Sequence, residues 1–167
     1  MWSSERRRAL SSAGAGIAAL ALASCGFQRQ QAPVLAFRRI ALTGFGPRSP
    51  LAAELQRRLA ESVEVVATPA QAEVVLQALT DQRDKSAVAT TTAAQVRELE
   101  VRLRFNFRAH TPSGRELVAP VELLLVRSLS YTESAALAKE QEEAELYREM
   151  QSDVVSQVMR RLAAIQL

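Results

Sequence analysis

The chain has 167 residues, 48% of them hydrophobic and 23% charged, with a formal net charge of +3. That length suits one domain with a real core. One cysteine rules out a disulfide staple, and one histidine leaves a zinc site almost no ligands.

Residues 1–24 run from charged to apolar to small, the order of a secretory signal. Arg6, Arg7 and Arg8 precede an apolar run from Ala9 to Leu22, which Leu22-Ala23-Ser24-Cys25 closes. The run is too short and too rich in Ala and Gly to span a bilayer comfortably. An aliphatic residue three positions before a cysteine, with small residues between, looks like a lipobox. Cys25 then receives a diacylglycerol, and the chain is cut just before it. A plain signal peptide would instead leave an unpaired thiol in an oxidising compartment. Arg7-Arg8-Ala9-Leu10 leaves both Sec and twin-arginine export open. Taking Arg6, Arg7, Arg8 and Glu5 from 21 basic and 18 acidic residues leaves 18 and 17. The mature chain is thus close to neutral, and its overall charge gives no basis for nucleic-acid binding.

Residues 25–33 read as a polar, lipidated tether ending at Pro33. Gly26 after the cysteine, in place of Asp, favours the outer membrane by the usual sorting convention. Residues 34–167 form the domain. Val34 to Phe45 reads as a strand closed by Gly44-Phe45-Gly46-Pro47, with no phosphate-loop motif around its glycines. Ser49 and Pro50 are an N-cap and a first helical residue, and Leu51, Leu55 and Leu59 make one apolar stripe. Val63 to Val66 is a short β-branched run. Val74 to Val88 reads as one long strand, apolar first and polar later, and Ala89 to Ala94 as a loop.

Leu99 to Ala109 is the clearest strand. Leu99, Val101, Leu103, Phe105, Phe107 and Ala109 alternate with Glu100, Arg102, Arg104, Asn106 and Arg108, so one face is core and the other carries a row of arginines. Arg83 and Lys85 are expected to join that row from the neighbouring strand. Thr111-Pro112-Ser113-Gly114 is a turn, and Leu117 to Leu129 returns antiparallel. There Leu117, Ala119, Val121, Leu123 and Leu125 share a face, and Pro120 marks an edge or a bulge. Glu133 to Leu167 reads as one helix whose stripe takes in Leu137, Tyr147, Met150, Val154, Val158, Leu162 and Ile165. The economical fold is a two-layer α+β domain, with both helices on one side of a mostly antiparallel sheet.

No catalytic constellation stands out: His110 has no nucleophile partner, and the carboxylate run Glu140 to Glu145 is a helical face. The usable chemistry is cationic. A row of guanidinium forks suits phosphate or carboxylate oxygens.

Cys25-Gly26-Phe27-Gln28-Arg29, the Ser49-Pro50-Leu51 helix start and the strand Val101 to Ala109 resemble the lipopolysaccharide-assembly lipoprotein family, LptE. So do Ala136-Leu137-Ala138-Lys139-Glu140, Tyr147-Arg148-Glu149-Met150 and Gln157-Val158-Met159-Arg160-Arg161-Leu162. The similarity covers essentially the whole mature chain and lies in the order of these pieces. It implies two helices on a four-stranded sheet, plugging the lumen of the outer-membrane β-barrel LptD. The pair would insert lipopolysaccharide into the outer leaflet without an enzymatic step or a cofactor. The resemblance also implies lipopolysaccharide contact at Lys139. A second basic position of the family falls in the Ala89 to Ala94 loop, where this chain has none, so either Arg97 or Arg102 takes that role or direct lipid binding is weaker in this protein. Arg104 and Arg108 complete the candidates. The other reading is a structural lipoprotein adaptor that binds no lipopolysaccharide.

Overall fold

Strand β1 (Arg39–Thr43) leads into helix α1 (Pro50–Ala60), which returns through β2 (Glu64–Val66). A single turn of 3-10 helix, Pro69–Gln71, precedes β3 (Val74–Thr90), β4 (Val96–His110) and β5 (Glu116–Ser130), and helix α2 (Ala136–Ala163) closes the chain. The computed structural model describes residues 34–90 and 96–167. The signal peptide at 1–24 and the tether at 25–33, with Cys25, lie outside those residues. So does the expected loop from Thr91 onward, whose first residues, Ala89 and Thr90, belong to β3.

The sheet has five strands in the order β2-β1-β3-β4-β5 and is mixed. β1 runs parallel to both β2 and β3, while β3, β4 and β5 are antiparallel. This corrects the expected four-stranded, mostly antiparallel sheet. Glu64, Val65 and Val66 pair with Arg39, Ile40 and Ala41, and a strand that returns through a helix comes back parallel. The first strand is also shorter than Val34 to Phe45. Phe37 is buried ahead of the ladder, and Gly44, at φ +79°, ends it.

Both helices bury their stripes on one face of the sheet. Ser49 caps α1 by accepting a hydrogen bond from the Ala52 amide at 2.9 Å, and Leu51, Leu55 and Leu59 are buried. On α2, Met150, Val154, Val155, Val158, Met159 and Leu162 are buried. Leu137 falls outside that stripe and is 73% exposed. At 100° per residue it lies about 140° around the helix from Met150. The helices close over Val101, Leu103, Phe105, Phe107 and Ala109 of β4, all buried. Phe105 and Phe107 stack with centroids 5.3 Å apart, and Phe45 stacks on Phe105 at 5.8 Å. Truncating a leucine of this layer to alanine removes about 2–5 kcal/mol.

The far side of the sheet is covered only near β1, where Ala41 and Val75 bury against Ala72. Over β4 and β5 it is open among the described residues.

Candidate functional site

The alternation of β4 sets out this open face. With Val101, Leu103, Phe105 and Phe107 committed to the core, Arg102, Arg104, Asn106 and Arg108 must project the other way. Arg102 is held by Glu100, two residues back on the same face. Arg108 donates through Nε to Gln77 Oε1 at 2.8 Å. Among the described residues neither Arg104 nor Arg108 has a carboxylate partner. Across the β4–β5 ladder Leu124 sits opposite Arg104, and Val126 opposite Arg102. Their side chains remain 48% and 38% exposed. The face thus combines guanidinium forks with exposed aliphatic surface. Between them, the Asn106 Oδ1 is buried with no hydrogen-bond partner among the described residues.

Arg83 and Lys85 do not join this row. Ala78 pairs with Phe107 and Thr80 with Asn106, so Leu79 is an extra residue, a β-bulge. One extra residue reverses the facing of everything beyond it. Arg83 and Lys85 therefore lie opposite Leu103 and Val101, on the helix side. There Arg83 donates to the Gln151 amide oxygen and lies over the Tyr147 ring, 5.2 Å from its centroid. Lys85 Nζ reaches Glu143 Oε2 at 2.7 Å. That hydrogen bond raises the lysine above its ordinary value, and burial raises the Tyr147 phenol. An open groove of about 530 Å³ runs between these residues, Glu140 and Arg148.

Arg97 and Lys139 are separate from the arginine row as well. Arg97 is the extra residue of a further irregularity, where Glu98 pairs with Ala89 and Val96 with Thr90, and its carbonyl accepts from the Tyr131 amide at 2.8 Å. Lys139, in the first turn of α2, donates to Glu142 Oε2 at 2.7 Å and Ser130 Oγ at 3.1 Å. The candidates therefore form two groups: Arg102, Arg104 and Arg108 on the open sheet face, and Arg97 and Lys139 near the start of α2.

On β5 the shared face of Leu117, Ala119 and Val121 breaks at Pro120. Phe107 pairs with Val121 and Ala109 with Val118, so the bulge falls on Ala119 and Pro120 of an edge strand.

A polar node went unread in the sequence. Gln151, 7% exposed, donates to the Pro50 carbonyl at 3.1 Å and to Glu54, and accepts from Arg83. Its one sequence signal is a glutamine beside Met150 on the buried stripe. Among the described residues no metal-ligand cluster forms, and no helix is long and apolar enough to cross a membrane.

The lipopolysaccharide-assembly family model, LptE, matches residues 37–162. No curated protein sequence matches the chain. The solution structure of uncharacterized lipoprotein B from Nitrosomonas europaea is 29% identical, with a TM-score of 0.70 over 83% of this chain and 91% of that one. Rare lipoprotein B from Shewanella oneidensis is 23% identical, with a TM-score of 0.63 over 76% and 95%. A minor lipoprotein from Acinetobacter baumannii is 22% identical, with a TM-score of 0.62 over 78% and 93%. These last two share the fold. With its family model spanning both helices and the sheet, the chain belongs to the LptE lipopolysaccharide-assembly family.

Proposed function

We propose that this chain is an outer-membrane lipoprotein, anchored at Cys25 on the periplasmic side, that plugs the LptD β-barrel and contacts lipopolysaccharide as it is inserted. The observation that carries the lipid contact is the open sheet face. Arg104 and Arg108, without carboxylate partners among the described residues, share that face with exposed Leu124, opposite Arg104, and Val126, opposite Arg102. A phosphorylated, acylated glycolipid offers the complementary pair of surfaces: oxygens for guanidinium forks and hydrocarbon for the aliphatic side chains. A polar barrel lumen suits a domain with charged flanks, and a lipid tether raises the local concentration of the pair. The chemistry is binding and assembly, with no cofactor.

The structural-adaptor reading draws on Lys139. Its ammonium is already engaged by Glu142 and Ser130, so the position implied by family resemblance is occupied within the chain.

Two measurements test these readings. Tagged mature protein, extracted from outer membranes in detergent, is expected to bring a large β-barrel in stoichiometric amount; a lipoprotein recovered alone rules out the plug. Arg102→Glu with Arg104→Glu is expected to abolish lipopolysaccharide binding with the fold intact; unchanged binding favours the adaptor.

A further inference from the structure

The topology gathers arginines at the end of the domain where the chain enters. Arg39 pairs with Glu64, Ile40 with Val74, Val75 with His110, and His110 with Glu116. The starts of β1, β2, β3 and β5 and the end of β4 therefore lie in one row. Both helices finish beside that row. α1 leads straight into Glu64. α2 begins at the far end of β5, where Lys139 bonds Ser130, and draws level with the start of α1 where Gln151 bonds the Pro50 carbonyl. From there α2 has about as many residues left as α1 has in all, so the two C-termini lie level. This end is basic although the domain is not. With Arg29 in the tether, residues 34–167 carry 17 basic and 17 acidic side chains. Arg57, Arg58, Arg160 and Arg161 lie in the last helical turns. Arg38, Arg39 and Arg115 lie at strand ends, against Glu61, Glu64, Glu73 and Glu116. Helix C-termini favour cations through their dipoles, which accounts for the first four arginines. Strand ends carry little dipole, so the other three need another reason. Arg39 is bridged to Glu73 and Arg58 to Glu61. The guanidinium groups of Arg38, Arg115 and Arg160 are exposed, with no carboxylate partner among the described residues.

We propose that this end of the domain docks on anionic phospholipid headgroups of the leaflet that holds the Cys25 acyl chains. The inference rests on the reading of Cys25 as the anchor. Residues 25–33 reach at most about 30 Å even when fully extended. An anchored chain therefore keeps Val34, and the arginines at that end, close to the bilayer. Headgroup phosphodiesters supply the acceptor oxygens that the unbridged guanidinium groups lack. A lipid chain plus a basic patch is the two-signal arrangement that makes membrane attachment stable. Charge also selects this end over the other. The first half of α2 carries Glu140, Glu142, Glu143 and Glu145 with only Lys139 to balance them, and anionic headgroups repel it. Docking by the tether end points that acidic half away from the leaflet. It also sets the strands along the membrane normal, the orientation a plug in a barrel requires.

The test is co-sedimentation of the mature chain, residues 25–167 with Cys25→Ser, with vesicles free of lipopolysaccharide. The vesicles are phosphatidylcholine, with or without phosphatidylglycerol. Binding is expected only where phosphatidylglycerol is present, and is expected to fall as salt rises. Arg38→Gln with Arg115→Gln and Arg160→Gln is expected to lower it about tenfold or more. Arg48→Gln with Arg127→Gln and Arg148→Gln removes as much charge away from this end and is expected to leave binding nearly unchanged. Arg115→Glu alone, at an exposed side chain beside the hairpin turn, is expected to weaken binding and keeps the test alive if the first triple variant unfolds. A chain that ignores phosphatidylglycerol overturns the proposal. So does an equal loss in the two triple variants. The mass of Cys25 in protein taken from membranes checks the anchor separately: an unacylated cysteine overturns the anchor, and failed binding beside an acylated one overturns the docking alone.

Discussion

Arg83 of β3 donates its guanidinium hydrogen to the amide oxygen of Gln151 on α2, joining the sheet to the long helix across the edge of the core. The same glutamine reaches Glu54 and the Pro50 carbonyl of α1. One side chain therefore holds three elements together. Gln151→Leu strands the guanidinium, the carboxylate and the carbonyl at once, and the expected loss is about 1–3 kcal/mol of stability. Urea unfolding monitored by circular dichroism measures it. A variant as stable as wild type would show that water replaces the glutamine.

Gly44 is expected to be the least replaceable glycine of the described fold. At φ +79° its Cα lies against the backbone of Ala78, and an added Cβ would come 2.1 Å from that carbonyl oxygen. Gly114 also has positive φ, at +92°, but open space around it. Gly114→Ala should cost roughly 1–2 kcal/mol from backbone strain alone. Gly44→Ala should cost clearly more, because the Ala78 backbone must move. Thermal melts of the two variants give the order.

Stability should fall on the alkaline side. The Glu143 hydrogen bond raises Lys85 above 10.5, its ordinary value. Its contribution is complete below 10.5 and is lost as pH rises through the folded value. Burial raises Tyr147 above 10.0. Above that pH the unfolded phenol ionises first, which again favours unfolding. Urea midpoints measured from pH 8 to 11 should decline, with Glu143→Gln and Tyr147→Phe each flattening part of the slope. Lys85 is half exposed, so its share is small.

The two groups of basic residues should differ in lipopolysaccharide binding. Arg104→Glu with Arg108→Glu is expected to lower affinity about tenfold or more, since each exposed fork offers charge-assisted hydrogen bonds. Lys139→Ala is expected to do less, because Glu142 and Ser130 already hold its ammonium. Fluorescent lipopolysaccharide displacement ranks them, and the reverse order would shift the site to the start of α2.

Much of the fold was legible in the chain itself, because local periodicity encodes it. The period of two in Leu99 to Ala109 fixed which side of β4 is core, and the structure buries Val101, Leu103, Phe105, Phe107 and Ala109 of that set and leaves Leu99 partly buried. The Ser49 cap, the leucine stripe of α1 and the stripe from Met150 to Leu162 were equally local. So was the composition of the open face, since arginines that alternate with core residues have only one way to point.

Tertiary structure alone decided how those pieces pair. Three residues, Glu64 to Val66, carry too little pattern to declare a strand until β1 lies beside them. The bulge at Leu79 leaves no mark in composition, yet it turns Arg83 and Lys85 from the open face to the helices. Gln151 reads as an ordinary polar interruption until Arg83, Glu54 and Pro50 converge on it from distant parts of the chain. Periodicity gives each strand's two faces. Register and bulges, set by contacts between strands far apart in sequence, choose which face each residue takes.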